Sequence, residues 1–288
     1  MRDKVFQLFL LVILSSACTI LSYAQGHPSF VKSSVAGDST VATRYSHAVE
    51  LFNVHDDTGE ALEEAKNEFS SILRMNPRHA PSLAYLGLIA LENNNTKSAD
   101  SLFTLALATD STCPEAHVGR AQMFRQQLKW QEGYEEAHRA VKLAPSSTFA
   151  RWELVNELLR RVEAPVTDSV VDEAIPHLLK LLELNSDDRQ AHLDLAQSYE
   201  RFKRWRDAVS HYREVLRIGQ LPEDMDVWVY EVHQDVVRCF ENLELYDEAV
   251  KELKLYITNL KELQSDEGTI KAVEQRIHDL EKKTTIKK

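Results

Sequence analysis

Apolar residues recur along this chain on the beat of a helix that buries one face. After Leu83 come Leu86, Gly87 and Ala90 at i+3, i+4 and i+7; the polar run ENNNT at 92–96 breaks the beat, and a second stripe opens at Ala99. That second stripe has a fixed grammar: a small residue, a bulky one four later, and a small or branched one seven later. It occurs six times, as Ala65/Phe69/Ile72, Ala99/Phe103/Ala106, Gly133/Ala137/Ala140, Ala174/Leu178/Leu181, Ala208/Tyr212/Val215 and Ala249/Leu253/Tyr256. Successive leading residues are 34, 34, 41, 34 and 41 apart, so the chain is a repeat of period 34 with two insertions of seven. Each hit is the second helix of a pair whose first helix carries its own stripe, as Leu195, Ala196 and Tyr199 do before Ala208.

Small residues at Gly87, Ala121 and Ala196, set opposite Ala99, Gly133 and Ala208, let two helix backbones approach closely while the bulky residue of the next turn fills the space. Pro77 and Pro145 each stand twelve residues past the leading small residue, where a helix must stop. No alternating apolar and polar run is bounded by a hairpin turn, and a chain of 288 residues with only 8 glycines and 8 prolines has few turn residues to spend on strands. The pattern predicts an all-α, right-handed α-α solenoid of about six helix pairs, with units at 46–79, 80–113, 114–147, 148–188, 189–222 and 230–263 inside an array at 44–263. A stripe at Ile270, Val273, Ile277 and Leu280 predicts a capping helix, followed by a basic tail, over 264–288. Seven extra residues are nearly two helical turns, so the stripe Met225, Trp228, Val232, Val236, Cys239 and Leu243 predicts one long helix from about Pro222 to Leu243. The other insertion, which includes Pro165 and the run PVTDS, reads as a longer loop.

The stretches LAYLGLIALENNNTKSADSLFTLALATD, AHVGRAQMFRQQLKWQEGYEEAHRAVKLAP and AHLDLAQSYERFKRWRDAVSHYREVLRIG resemble tetratricopeptide repeats. Leu83, His117, His192 and His233 stand where that family usually has a first-helix Trp, and Trp130 and Trp205 stand three before the small residue, where Tyr or Phe is common. The resemblance implies a concave surface, lined by the first helices, that holds a partner's peptide. Positions that would line it include Gln122, Arg125, Trp152, Asn156, Arg160, Gln197, Arg201, Gln234 and Arg238. Amides and arginines can hydrogen-bond an extended backbone and its carboxylates, and Trp152 would be an anchor. In the competing reading Trp152 packs under the 164–170 loop and the arginines pair with neighbouring glutamates. The family's clamp for C-terminal carboxylates sets a Lys and an Asn one turn apart; here Asn156 follows Trp152 instead, and that clamp does not carry over.

The N-terminus has an address of its own. Arg2 and Lys4 precede an apolar core from Val5 to Leu14, and Ser22-Tyr23-Ala24 has the small-x-small form of a cleavage site, so 1–24 reads as a secretory signal cut after Ala24. LSSAC also makes Cys18 a candidate lipidation site, and the stretch from Val5 to Tyr23 is just long enough for a retained anchor. Residues 25–43 are rich in Ser and Thr and read as a flexible tether. The expected location is secreted or periplasmic, or membrane-anchored through this end alone.

The formal charge is −11, and removal of Arg2, Asp3 and Lys4 takes it to −12, which argues against nucleic acid as the main partner. No two glycines are closer than eleven residues, so no dinucleotide or phosphate loop exists, and HExxH, CxxC and GxSxG are absent; no cofactor is expected. His117, His192 and His233 share one repeat slot, and His177 and His211 another, which marks them as packing residues rather than metal ligands. Glu63-Glu64, Glu135-Glu136 and Asp187-Asp188 fall at helix starts or on outer faces, where a catalytic dyad would lack burial. Cys113 and Cys239 are too far apart in a solenoid to meet and read as two buried thiols. The function these features imply is a non-enzymatic scaffold for a protein or peptide partner. The alternatives are a lipid-anchored subunit of an envelope assembly complex, and a glycan-binding or enzymatic groove that uses Trp152 for stacking.

Overall fold

A computed structural model of the chain describes residues 39–54, 58–160, 166–218, 225–262 and 266–287. The signal segment, Cys18 and Ala24 lie outside these. Thirteen helices and no strand are present among the described residues: α1 Ser39–Phe52, α2 Glu60–Met75, α3 Ala80–Glu92, α4 Thr96–Thr109, α5 Pro114–Gln126, α6 Trp130–Leu143, α7 Thr148–Leu159, α8 Asp168–Leu184, α9 Arg189–Arg201, α10 Trp205–Ile218, α11 Met225–Asn242, α12 Tyr246–Glu262 and α13 Glu267–Lys287. This is an all-α helix-pair solenoid. It divides into two compact units, Met1–Pro165 and Val166–Lys288, so that α1–α7 belong to the first and α8–α13 to the second. The pair expected at 148–188 gives one helix to each. Helix α1 starts at Ser39, inside the span read as a tether, and the long helix α11 starts at Met225. The loop expected around Pro165 falls largely on residues outside the description.

All eighteen positions of the repeated template are buried, from Ala65, Phe69 and Ile72 through Ala249, Leu253 and Tyr256. Phe103 shows why the small residues are needed. A Cβ on Gly87 of α3 would lie 2.5 Å from its ring, and one on Gly119 of α5 would lie 2.1 Å away. The fully buried ring of α4 therefore occupies the side-chain space of two successive first helices, and its burial stabilises the unit by roughly 1.5–3 kcal/mol. In the same unit Tyr85 stacks on Phe69 at 4.8 Å and on Phe149 at 6.4 Å, extending the core from α2 through α3 to α7.

Turns repeat as strictly as cores. Within pairs, Asn94, Leu128, Lys203 and Glu244 hold the left-handed conformation at φ of 57–60°, and each turn closes with the same two bonds. In the first of these the Asn95 amide donates to the Ala90 carbonyl at 2.8 Å and Asn94 to Leu91 at 2.9 Å; in the third Arg204 donates to Tyr199 and Lys203 to Glu200 at those distances. Between pairs, the side chains of Asn76, Asp110 and Asn185 accept from the amide two residues on, and His79, Ser147 and Asp188 then cap the next helix. Pro176 lies inside α8, a helix interior the pattern had not marked as able to take one.

In the second unit α13 packs on α12 through Val273, Ile277 and Leu280, the face expected of a cap. No helix among the described residues is long and apolar enough to cross a membrane.

Candidate partner-binding face

The amide and arginine positions separate by unit. In the second unit Gln197 and Arg201 lie one turn apart on α9, with Gln234 and Arg238 one turn apart on α11; Gln197, Arg201 and Arg238 are exposed and Gln234 is half-buried. The opposite sides of these helices are committed to the core through Leu195, Ala196, Tyr199, Val232, Val236 and Cys239. The arginines are held in place by carboxylates. Arg201 Nε donates to Asp168 Oδ1 at 2.7 Å and its Nη2 to the Val166 carbonyl at 2.7 Å. Arg238 makes a two-pronged contact with Glu200, at 2.5 and 2.8 Å, and its Nη2 also reaches Asp235 at 2.6 Å. Tyr212 from α10 donates to the same Glu200 at 2.8 Å, so Glu200 joins three helices. On α13, Arg276 Nη2 repeats the device with Glu241 at 2.6 Å.

In the first unit two candidates, Trp152 and Asn156, turn inward, and Gln122, Arg125 and Arg160 are half-buried. Trp152 is a core side chain, 2% exposed, and Asn156 is 7% exposed with Arg160 Nη1 donating to its Oδ1 at 3.0 Å. From α5, Gln122 Nε2 donates to Glu153 at 3.0 Å, and Arg125 Nη1 pairs with both Glu153 and Glu157 of α7. Pairing of Arg125, Arg201 and Arg238 with nearby acids is what the competing sequence reading held. Sequence periodicity marks these slots but cannot say which side of α7 is covered.

The histidine slot resolves into a series of polar pins between the helices of a pair. His117 Nδ1 lies 2.6 Å from Glu136, His192 Nδ1 lies 2.8 Å from His211 Nδ1, and His233 Nδ1 lies 2.8 Å from Glu252, each partner nineteen residues along. All three first-slot histidines are buried, and His117 and His192 turn their Nε2 to the carbonyls of Ser111 and Ser186. They are packing residues, and among the described residues no group of three potential metal ligands forms. Glu136 corrects the expectation for the acidic pairs: it is buried rather than on an outer face, because His117 draws it in. Burial works to raise its carboxyl, and His117, Arg120 and Arg139 outweigh it, holding the group below the usual range. His211 has no acid in that position; burial and then His192 push its ring down to about 4. The signal for the pins was present in the sequence as the constant offset of nineteen. Cys113 and Cys239 are buried free thiols, and burial pushes Cys239 up to about 12.

Paired helices with small-residue contacts, left-handed turns and polar pins at fixed offsets define a helix-turn-helix repeat protein. Residues 171–221 match the family model for the tetratricopeptide repeat. No curated protein sequence matches the chain. Among solved structures it is similar to pilF of Pseudomonas aeruginosa, 18% identical with a TM-score of 0.56 over 78% of this chain and 92% of that one. It is also similar to PilW, described as a widely conserved type IV pilus biogenesis factor, at 12% identity and a TM-score of 0.52 over 78% and 96%. A third is YrrB, described as having an unusual peptide-binding site, at 16% identity and a TM-score of 0.50 over 64% and 91%. Residues 171–221 thus carry a tetratricopeptide repeat, and the chain shares the fold of these repeat structures.

Proposed function

We propose that this protein is a non-enzymatic interaction scaffold, working outside the cytoplasm, that takes a partner's peptide or helix against the first helices of its pairs. The observation that carries the reading is the polar strip Gln197, Arg201, Gln234 and Arg238, on the sides of α9 and α11 turned away from the core. Its arginines are already oriented by Asp168, Glu200 and Asp235, so a partner meets them in place and loses little to side-chain ordering. The peptide-binding site described for YrrB, on the same fold, supports this use of it. The signal-like sequence 1–24 supports the location.

A photo-reactive residue at Gln197 or Gln234, compared with one at the exposed Ser210 of α10, tests the strip. Crosslinked partner from the first two sites and none from the third is expected in envelope extracts. Equal capture from all three, or from Ser210 alone, removes the assignment. The sequence LSSAC supports a second reading, a lipid anchor on Cys18. Incorporation of a labelled lipid precursor that disappears in Cys18→Ser supports it, and an unlabelled wild type refutes it.

A further inference from the structure

We infer that Arg125, Glu153 and Glu157 form a proton-operated catch between α5 and α7, closed while the two carboxyl groups share one proton and loosened when that proton leaves. Glu153 and Glu157 are one helical turn apart on α7, and their side chains are 3% and 1% exposed. Neither reaches water to any useful extent, and both turn to a single nitrogen, Nη1 of Arg125, with the contact to Glu157 at 2.8 Å.

The charges around the two carboxyl groups do not balance. From α5 come one guanidinium and one amide, Gln122, which donates to Glu153 at 3.0 Å. From α6 comes Gly133, with no side chain at all: a Cβ there would lie 2.7 Å from Glu157 Oε2, so the carboxyl fills the space left by the missing side chain. On α7 itself the Arg160 guanidinium donates to Asn156. Two carboxylates withdrawn from water against one arginine, itself one-third exposed, leave an excess negative charge on the buried side of the contact, and a buried unmatched charge is strongly disfavoured. A single proton, held between the two carboxyl groups, removes the excess and supplies the donor for a hydrogen bond between them. Burial, then the neighbouring Glu153, push Glu157 up to about 8, against the opposing pull of Arg125. That agrees with a proton retained at neutral pH.

The sign of the linkage is set by this elevation. Between the ordinary carboxylate range and about 8, the folded state keeps a proton that the unfolded chain has released. The catch therefore contributes fully at low pH, and stability falls as pH rises through that window. Glu157→Gln reproduces the protonated carboxyl in shape and charge and cannot lose the proton.

The test compares urea unfolding of the full chain and of Glu157→Gln from pH 5 to pH 9, taking the ratio of their unfolding constants so that groups common to both cancel. The ratio of wild type to variant is expected to rise with pH, approaching tenfold per pH unit at its steepest and levelling off above about 8. A ratio that stays flat across the range overturns the catch. Difference infrared spectroscopy gives a second readout independent of unfolding. A protonated carboxylic acid band at pH 7 that is absent from Glu157→Gln supports the assignment, and its absence from the wild type refutes it.

Discussion

Replacing Gly119 by Ala is the sharpest test of how these helices are held together. An alanine in mid-helix is ordinarily preferred over glycine by about 1 kcal/mol, so a loosely packed interface would be stabilised. Here the new methyl would sit 2.1 Å from Phe103 Cε1, 2.3 Å from Cζ and 2.9 Å from Cδ1, where ordinary contact begins near 3.5 Å. The ring must move by more than 1 Å, on the order of a third of a contact distance. It cannot retreat toward α3, because it already fills the space 2.5 Å from where a Cβ on Gly87 would lie and would meet the Gly87 backbone behind it. Overpacking of this kind costs about 1–3 kcal/mol, and the depth of the clash places it at the upper end. After the propensity gain, a net loss of about 2 kcal/mol is expected, seen as a lower urea midpoint at unchanged slope. Phe103→Leu costs stability alone through lost volume, yet should recover stability in the Gly119→Ala background, giving a coupling of about 1 kcal/mol or more in the double-mutant cycle. Wild-type stability or better in Gly119→Ala, or strictly additive effects, would refute the interlocked-ring account.

Three further outcomes follow from particular residues. Ala208→Leu, at a fully buried position of α10, should overpack its helix pair and lower stability by ~1–3 kcal/mol; an unchanged melting temperature contradicts the assigned packing. The folded His211 ring titrates at about 4, below its ordinary 6.5, so the unfolded chain binds the extra proton and stability falls as pH drops from 6.5 to 4. Allowing for its partial exposure the loss is about 1–2 kcal/mol, and His211→Glu, which copies the pin at Glu136 and Glu252, should remove it in acid-dependent melts. Lys203→Gly relieves a left-handed φ of 57° and should raise stability by roughly 0.5–1 kcal/mol by urea titration; a loss would show that the lysine side chain contributes more than the strain removed.

The helix pairs were legible because packing chemistry is periodic. Ala99 and Phe103 are spaced for one stripe, and their burial depends on little beyond that spacing. The turns were less legible, since glycine is the usual mark of a left-handed cap and Asn94, Leu128, Lys203 and Glu244 take its place. Glu136 was misplaced for a related reason. A carboxylate beside Glu135 near a helix start looks solvated until the histidine nineteen residues earlier is read with it. The groove residues divide by the same logic: spacing puts Trp152 and Gln234 in one slot and Asn156, Gln197 and Arg238 in the next, but the neighbours that cover Trp152 and Asn156 and leave Gln197 and Arg238 exposed come from tertiary packing. Pairing of Arg125 with two acids on α7 is likewise a meeting of separate helices that no single stripe reveals.

The pins at His117, His192 and His233 make the short links inside their three pairs into rulers. Because every buried ring finds its partner after the same count of nineteen, the connecting segments can vary freely in composition and hardly at all in length. One inserted residue would rotate the second helix by about 100° and turn the partner away from the ring, stranding a polar group in the core. Evolution and engineering can therefore repaint these corners, but resizing them would unlatch the pair.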